Sequence, residues 1–402
     1  MELEFEMAGS VEAIERLDPE IDRLAVECGR PLMSPAWTLG WWRHRRPVSA
    51  ALRAVAVHDR GRLVGFAPFF VHDRQARRAV YRLVGARSFF RLEPLAARHY
   101  EHRVAQAIAN ALAEAEPAPR AIRFEGIDAT STWPRLLAEA WPARARPYLV
   151  RDRAATQPAP TLSIGQRTFE EWLAGKSHNF RGQIGKRRRR AHRGGAVIGL
   201  ATTEQELGGG LDALVRLHHR RWDRRGGSGA LDDTTERLLR DVTTHELRQE
   251  RHRLFTLATD EQIIACYLCA AAGGQVTPVL MGFDPAASAL SPGSLVVLAA
   301  LEDAFARGDQ RFDFGPGAEP YKLRLADRNE PLAWTTLVPR GPRARVMRLR
   351  LSAEHGVSHA RRLWWHVPPR ARRAIRRLAR ADRSAGEVGR HSDSFGPRRP
   401  PR

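Results

Sequence analysis

The chain has 402 residues, too many for one ordinary domain and comfortable for two. An apolar fraction of 43% supplies real cores and excludes wholesale disorder. Lys and Arg number 66 against 45 Asp and Glu. The resulting net charge of +21 points to an anionic partner: nucleic acid, an anionic membrane surface, or a phosphate-bearing ligand.

Only three cysteines occur, Cys28, Cys266 and Cys269, so no disulfide framework is indicated and a reducing compartment is expected. The first residues, Met1-Glu2-Leu3-Glu4-Phe5-Glu6-Met7, lack the apolar segment of a signal peptide. No apolar run approaches the roughly 18–20 residues of a membrane span. The expected location is cytoplasmic.

In chain order, Ile14, Leu17, Ile21 and Leu24 fall at helical spacing and predict a helix over 11–30. An aromatic segment follows, from Ser34 through Trp37 to Trp41 and Trp42. Leu52–His58 and Leu63–Val71, split by a turn at Asp59–Arg62, read as a β-hairpin, and Val80–Val84 as a third strand. An Ala-rich helix over 103–116, a short strand over 121–125 and a helix over 133–140 lead into a Pro- and Arg-rich connector at about 142–160.

The second half repeats the plan. Helices over 211–224 and 233–249 precede a hairpin of Leu254–Thr259 and Ile263–Ala271. A third strand over 276–283, a helix over 294–307 and a strand over 311–314 complete it. The two hairpins lie 200 residues apart, which predicts two domains of like fold. The expected units are 1–150, 160–340, and a basic tail over 341–402 with 17 Arg against 4 acidic residues. Leu363-Trp364-Trp365 in that tail suits either an anionic membrane interface or a helix packed on the body.

Several stretches carry candidate chemistry. Gly282-Phe283-Asp284-Pro285 and Ser291-Pro292-Gly293-Ser294 form a loop of small residues that opens a helix. Amide groups at such a helix start can cradle a pyrophosphate, with Gly293 allowing close approach and Ser294 as cap or ligand. The stretch reads equally as a plain connector with a Ser cap. Asp313-Phe314-Gly315-Pro316-Gly317-Ala318-Glu319-Pro320-Tyr321-Lys322 ends a strand in a glycine turn crowded with functional groups. Tyr321 suits a general acid, Asp313 or Glu319 a base, and Lys322 an anion contact; the alternative is a solvated surface turn.

His218 and Trp222 share a helix face, with Arg221 beside them. His218 is a second candidate base. Arg181 belongs to a basic helix over 177–193 that suits RNA, a nucleotide sugar or coenzyme A phosphates, or simply faces solvent. Cys266-x-x-Cys269 reads as two buried core thiols, because strand residues three apart face opposite ways. No metal site is indicated.

In order and spacing, Ser177-His178-Asn179-Phe180-Arg181, Leu217-His218, Arg221-Trp222, Gly282-Phe283-Asp284-Pro285, Ser291-Pro292-Gly293 and Asp313–Lys322 resemble the GNAT-like acetyltransferases of cellulose and exopolysaccharide biosynthesis, the CelD/BcsL type. The similarity covers roughly 5–340. It implies an α/β (α+β) fold of two tandem GNAT-like domains, each a mixed, largely antiparallel sheet flanked by helices. It also implies an acyl-CoA co-substrate and an amine or sugar hydroxyl acceptor.

On this resemblance Met281, Gly282 and Phe283 form the strand edge for the pantetheine arm, and Ser291, Gly293 and Ser294 take the pyrophosphate. The first half shapes the acceptor cleft. The expected roles are Tyr321 as acid and Asp313 or His218 as base, with Arg221, Trp222, Glu319, Lys322 and Arg181 expected to contact substrate. The loop lacks the glycine-rich acetyl-CoA signature. The related Fem-type transferases use the same doubled fold with aminoacyl-tRNA, which the charge also suits. A non-catalytic, basic, envelope-associated binding protein is the third reading. The tail would place the protein at the inner face of the membrane.

Overall fold

The computed structural model describes residues 3–71, 79–142, 146–152, 155–222, 230–246, 251–260, 262–341, 344–349 and 351. The expectations for the basic tail, including Leu363-Trp364-Trp365, therefore lie outside the described residues.

The first half contains β1 (Glu4–Ala8), α1 (Val11–Glu15), α2 (Asp18–Glu27), α3 (Pro35–Arg45), β2 (Ala51–Asp59), β3 (Arg62–Val71), β4 (Val80–Leu83) and β5 (Leu95–Ala96). It continues with α4 (Glu101–Glu114), β6 (Ala121–Asp128), α5 (Trp133–Glu139) and β7 (Tyr148–Arg151). The expected first helix is two. Pro19 cannot donate within a helix interior, and it sits in the first turn of α2 instead. The aromatic segment is α3, which buries Trp37, Trp41 and Trp42.

The second half contains β8 (Pro160–Ser163), α6 (Phe169–Ala174), α7 (His178–Arg193), β9 (Val197–Leu200), α8 (Glu204–Trp222), α9 (Asp233–Glu246), β10 (His252–Thr259), β11 (Gln262–Ala272) and β12 (Gln275–Phe283). A 3₁₀ turn (Pro285–Leu290), α10 (Pro292–Ala306), β13 (Arg311–Asp313), α11 (Pro320–Leu325), β14 (Arg328–Asn329) and β15 (Leu332–Val338) follow. Helix α7 starts where the sequence predicts: the Ser177 hydroxyl accepts from the Phe180 amide at 3.3 Å, and Gly194 closes the far end.

Both halves follow one plan. A hairpin (β2–β3, β10–β11) adds a third antiparallel strand (β4, β12). A helix (α4, α10) then crosses to a strand parallel to that third one (β6, β13). This is the doubled GNAT-like plan.

The strands do not partition at the middle of the chain. The first sheet runs β1-β2-β3-β4-β6-β15-β7, with β5 on β3, and the second runs β14-β8-β13-β12-β11-β10-β9. A second domain drawn at 160–340 thus differs from the sheets, because β15 leaves the second half and enters the first sheet between β6 and β7. Strand pairing over 332–338 satisfies two rows of backbone groups at once, which outweighs continuity along the chain.

Strand β11 links the two cores. Cys266, Leu268 and Ala270 face a core shared with α3, α8, α9 and the first sheet. Ala265, Tyr267, Cys269 and Ala271 face the other, with α6, α7 and α10. The two-residue strand period sends the cysteines to opposite sides. Burial pushes the Cys266 thiol up to about 12 and raises that of Cys269 further, so both are packing thiols.

At the start of β10, His252 is buried against Trp37, with ring centroids 5.5 Å apart. Burial, with Arg251 adding to it, lowers its imidazole pKa to about 3. The neutral ring therefore stabilises the fold fully above about pH 6.5, and that stability is lost as pH falls toward 3. Between pH 7 and 5 the native protein is expected to lose about 2 kcal/mol from this group. Urea unfolding of His252→Phe at the two pH values should show that loss removed; an unchanged pH dependence counts against it.

Candidate active site

The site begins with a failure of pairing. Strand β12 stays with β11 as far as Phe283, but meets β13 only at Gln275 and Val276. Beyond Val276 the two parallel strands diverge. A register break opposite Leu268 and Cys269 leaves Val279 as the extra residue of a β-bulge, which bends β12 at that point.

The divergence opens a cavity of about 660 Å³. Its walls include Thr277–Met281 and Phe283 of β12, the Ser291–Ser294 loop, and Asp313–Pro316 after β13. Glu319, Tyr321 and Lys322 line it from α11, and His218, Arg221 and Trp222 from the end of α8. Twelve of the fourteen residues singled out in the sequence thus line one cavity. The first half closes it with Leu32, Ser88, Phe89 and Phe90.

The buried end of α8 positions His218. Its Nδ1 lies 3.3 Å from the Met281 carbonyl, which can only accept, so Nδ1 carries the hydrogen and Nε2 the lone pair. Burial lowers its pKa below the usual histidine range, against the opposing hydrogen bond to Met281. The ring is therefore neutral at pH 7. Trp222 lies one turn on, at 6.2 Å between centroids. The Arg221 guanidinium lies over the Phe283 ring at 4.3 Å and near Trp222 at 5.3 Å, which fixes its direction.

Tyr321 is half-buried, and burial, then the Glu319 carboxylate, pushes its phenol up to about 12. It stays protonated across the physiological range. A phenol this weak does not hand its proton to a thiolate of ordinary pKa near 8.5, but it remains a hydrogen-bond donor to one.

Four residues stand otherwise than the sequence suggests. Asp313 is buried; its Oδ2 accepts from Arg91 Nε at 2.5 Å and its Oδ1 from the Gly315 amide at 2.8 Å. That carboxylate is committed to holding the turn, which makes it a poor base. Lys322 is buried too: its ammonium donates to the Pro316 carbonyl at 2.7 Å and pairs with Glu319 at 3.0 Å. It braces the Gly315–Gly317 turn.

Gly282 does not line the cavity. A Cβ there would stand 2.9 Å from the Leu214 carbonyl and 3.0 Å from the His218 amide, so glycine lets α8 approach the sheet. Arg181 also lies outside, donating to the carbonyls of Ala174 at 2.9 Å and Lys176 at 2.5 Å.

The first-half residues and Arg91 carry no sequence signal. Arg91 pairs with Asp128 and Asp313 and donates to the Glu330 carbonyl at 3.2 Å, joining the two halves beside the cavity. It adopts a left-handed φ of 59°, which an arginine in a sequence does not announce. The one hint is Gly126, whose φ of 68° and missing side chain make room for the Phe90 ring.

Residues 178–323 match the acetyltransferase (GNAT) domain family. This segment is similar to a GNAT acetyltransferase domain. It contains both His218 and Tyr321 and most of the cavity wall. The doubled GNAT fold extends over the rest of the described chain.

Solved structures share this fold. FemX superposes with a TM-score of 0.61 at 11% identity, over 86% of this chain and 99% of that one. The C-terminal domain of a protein assigned as a lysylphosphatidylglycerol synthetase from Agrobacterium fabrum gives 0.52 at 10% identity, over 83% and 94%. A conserved protein of unknown function from Bacteroides thetaiotaomicron gives 0.50 at 10%, over 84% and 100%. No curated protein matches the sequence. Among the described residues no helix is long and apolar enough to cross a membrane, and no cluster of metal-ligating side chains occurs.

Proposed function

We propose that this chain is an acyl-CoA-dependent N- or O-acyltransferase whose acceptor is an amine or sugar hydroxyl of a cell-envelope or exopolysaccharide precursor. The divergence of β12 from β13 carries the reading: it presents a strand edge, with no strand beside it among the described residues, along a cavity that also holds His218 and Tyr321. A pantetheine arm carries amides that suit such an edge. When bound, the thioester supplies the acyl group. His218 Nε2 takes the acceptor's proton, and Tyr321 donates a hydrogen bond to the departing sulfur.

Leu32, Ser88, Phe89 and Phe90 bound the acceptor side, and Arg221 and Trp222 orient what enters. The CelD/BcsL type rests on motif order alone, and an acyl-CoA donor places the reaction in the cytoplasm.

The direct test is calorimetric titration with acetyl-CoA and longer acyl-CoAs. Saturable binding is expected, and Gly293→Trp should abolish it: a Cβ there already stands 3.1 Å from the Phe283 ring, and an indole must enter the cavity. Circular dichroism checks that the variant folds. No acyl-CoA binding alongside tight, salt-sensitive binding of charged tRNA overturns the donor in favour of a Fem-type transferase. Silence from both leaves a binding protein.

A further inference from the structure

At the start of α10 the amide supply is poor. Ser291 takes a left-handed φ of 55°, and Pro292 at the first helical position has no N–H. The amides of Ser294 and Leu295 both turn back to the Ser291 carbonyl, at 3.0 and 3.3 Å. Of the residues expected to cradle a pyrophosphate, Gly293 is left to offer its amide, and one neutral donor is weak recognition for a diphosphate.

Positive side chains stand beside this turn. A small cleft between α7, α10 and α11 is lined by Arg187, Ser294, Tyr321 and Arg324 together with apolar side chains such as Phe180 and Ile184. Ser294 and Tyr321 line the main cavity as well, so the cleft is an annex of it. Its volume is about 20 Å³, room for a contact at its mouth and not for a whole ligand.

The arginines of α7 are not equivalent. Arg188 pairs with Glu302, and Arg190 donates to the Ala289 carbonyl at 2.8 Å. Arg187 is half-buried and makes no hydrogen bond or ion pair with any of the described residues. On α11, Arg324 spends only its Nε, on the Pro320 carbonyl at 3.3 Å. A half-buried guanidinium is normally paired, because partial desolvation without a partner costs free energy. Arg187 is such a group, and the exposed Arg324 lines the same cleft beside this donor-poor helix start, which fits an anion that arrives with the substrate.

We propose that Arg187 and Arg324 take the phosphates of the acyl donor at the mouth of this cleft, so that side-chain charge from α7 and α11 replaces backbone amides. The inference rests on the acyl-CoA reading above and concerns the same site.

Titrations of the full chain with acetyl-CoA and with acetyl-pantetheine, which lacks the nucleotide and its phosphates, test it. Arg187→Ala and Arg324→Ala should each weaken acetyl-CoA about tenfold or more, as loss of a charge-assisted contact does, and leave acetyl-pantetheine unchanged. Arg189→Ala removes the same charge from an α7 side chain that does not line the cleft, and should change neither. Inorganic pyrophosphate should compete with acetyl-CoA in the native protein and not in the double variant Arg187→Ala/Arg324→Ala.

Equal acetyl-CoA affinity in native and variant proteins overturns the inference and leaves the donor reading standing. An equal loss in Arg189→Ala overturns it as well, since only overall charge would then matter. If neither thioester binds the native protein, the donor reading falls and the inference with it.

Discussion

A chain cut after Glu330 is expected to lose its cooperative unfolding transition, whereas one cut after Met347, which keeps every strand, should retain it. The cut removes β15, which pairs with β6 on one side and β7 on the other. Leu332, Leu337 and Val338 of this strand are buried at 1% exposure or less. At about 1.5–3 kcal/mol for each such side chain, their loss amounts to roughly 5–9 kcal/mol, before counting the opened backbone of β6. That is comparable to the whole net stability of a folded chain, about 5–15 kcal/mol.

The reciprocal fragment 160–340 should fail for the same reason, because it carries β15 without the two strands that receive it. Thermal unfolding followed by circular dichroism decides the matter. A sharp transition in either fragment would show that the exchange of β15 is dispensable and that the halves are independent domains.

The second large effect is on catalysis. Replacing His218 with alanine is expected to lower kcat by about 10²–10⁴-fold, the usual contribution of a positioned base. Its pH signature is distinctive. Burial lowers the His218 pKa, and on the proposed base role the neutral ring is the competent form. Activity should therefore rise with pH through a midpoint below the ordinary 6.5 and be flat by pH 7.

Release of free coenzyme A from acetyl-CoA, with glucosamine or water as acceptor, supplies the assay. In His218→Ala the acid limb should vanish along with most of the rate. A variant that keeps the limb and the rate would remove His218 from the mechanism, and the neutral imidazole would then be only a packing group against Met281 and Trp222.

The sequence legible at short range proved informative about the elements. The Ser177 cap and Gly194 stop of α7, the two hairpins at 200-residue spacing, and the opposite faces of Cys266 and Cys269 all follow from local rules. Those rules are set by hydrogen bonding at helix ends and by the two-residue strand period, and neither needs the rest of the molecule. The second-half motifs were legible for a similar reason. Loops at strand ends with glycine, a cap and polar side chains gather near one sheet edge once that sheet forms.

What local rules could not supply was commitment of charge. Asp313 and Lys322 look alike available in the sequence, yet Arg91, 222 residues from Asp313, holds one, and the Pro316 carbonyl with Glu319 holds the other. Gly282 and Gly293 look like parts of one ligand loop. Only packing shows that the first admits α8 while the second faces the cavity across Phe283.

By itself, then, the sequence determined the doubled α/β plan, the span of most helices and strands, and the stretch, residues 218–322, whose candidate residues the fold gathers around one cavity. The tertiary structure decided which half each strand joins, which of the candidate groups are already paired, and that Ser88–Phe90 closes the cavity from the first half. The physical reason is range. Capping, turn chemistry and strand alternation act within a few residues, whereas ion pairs, strand exchange and cavity walls join residues hundreds apart, which only the folded chain brings together.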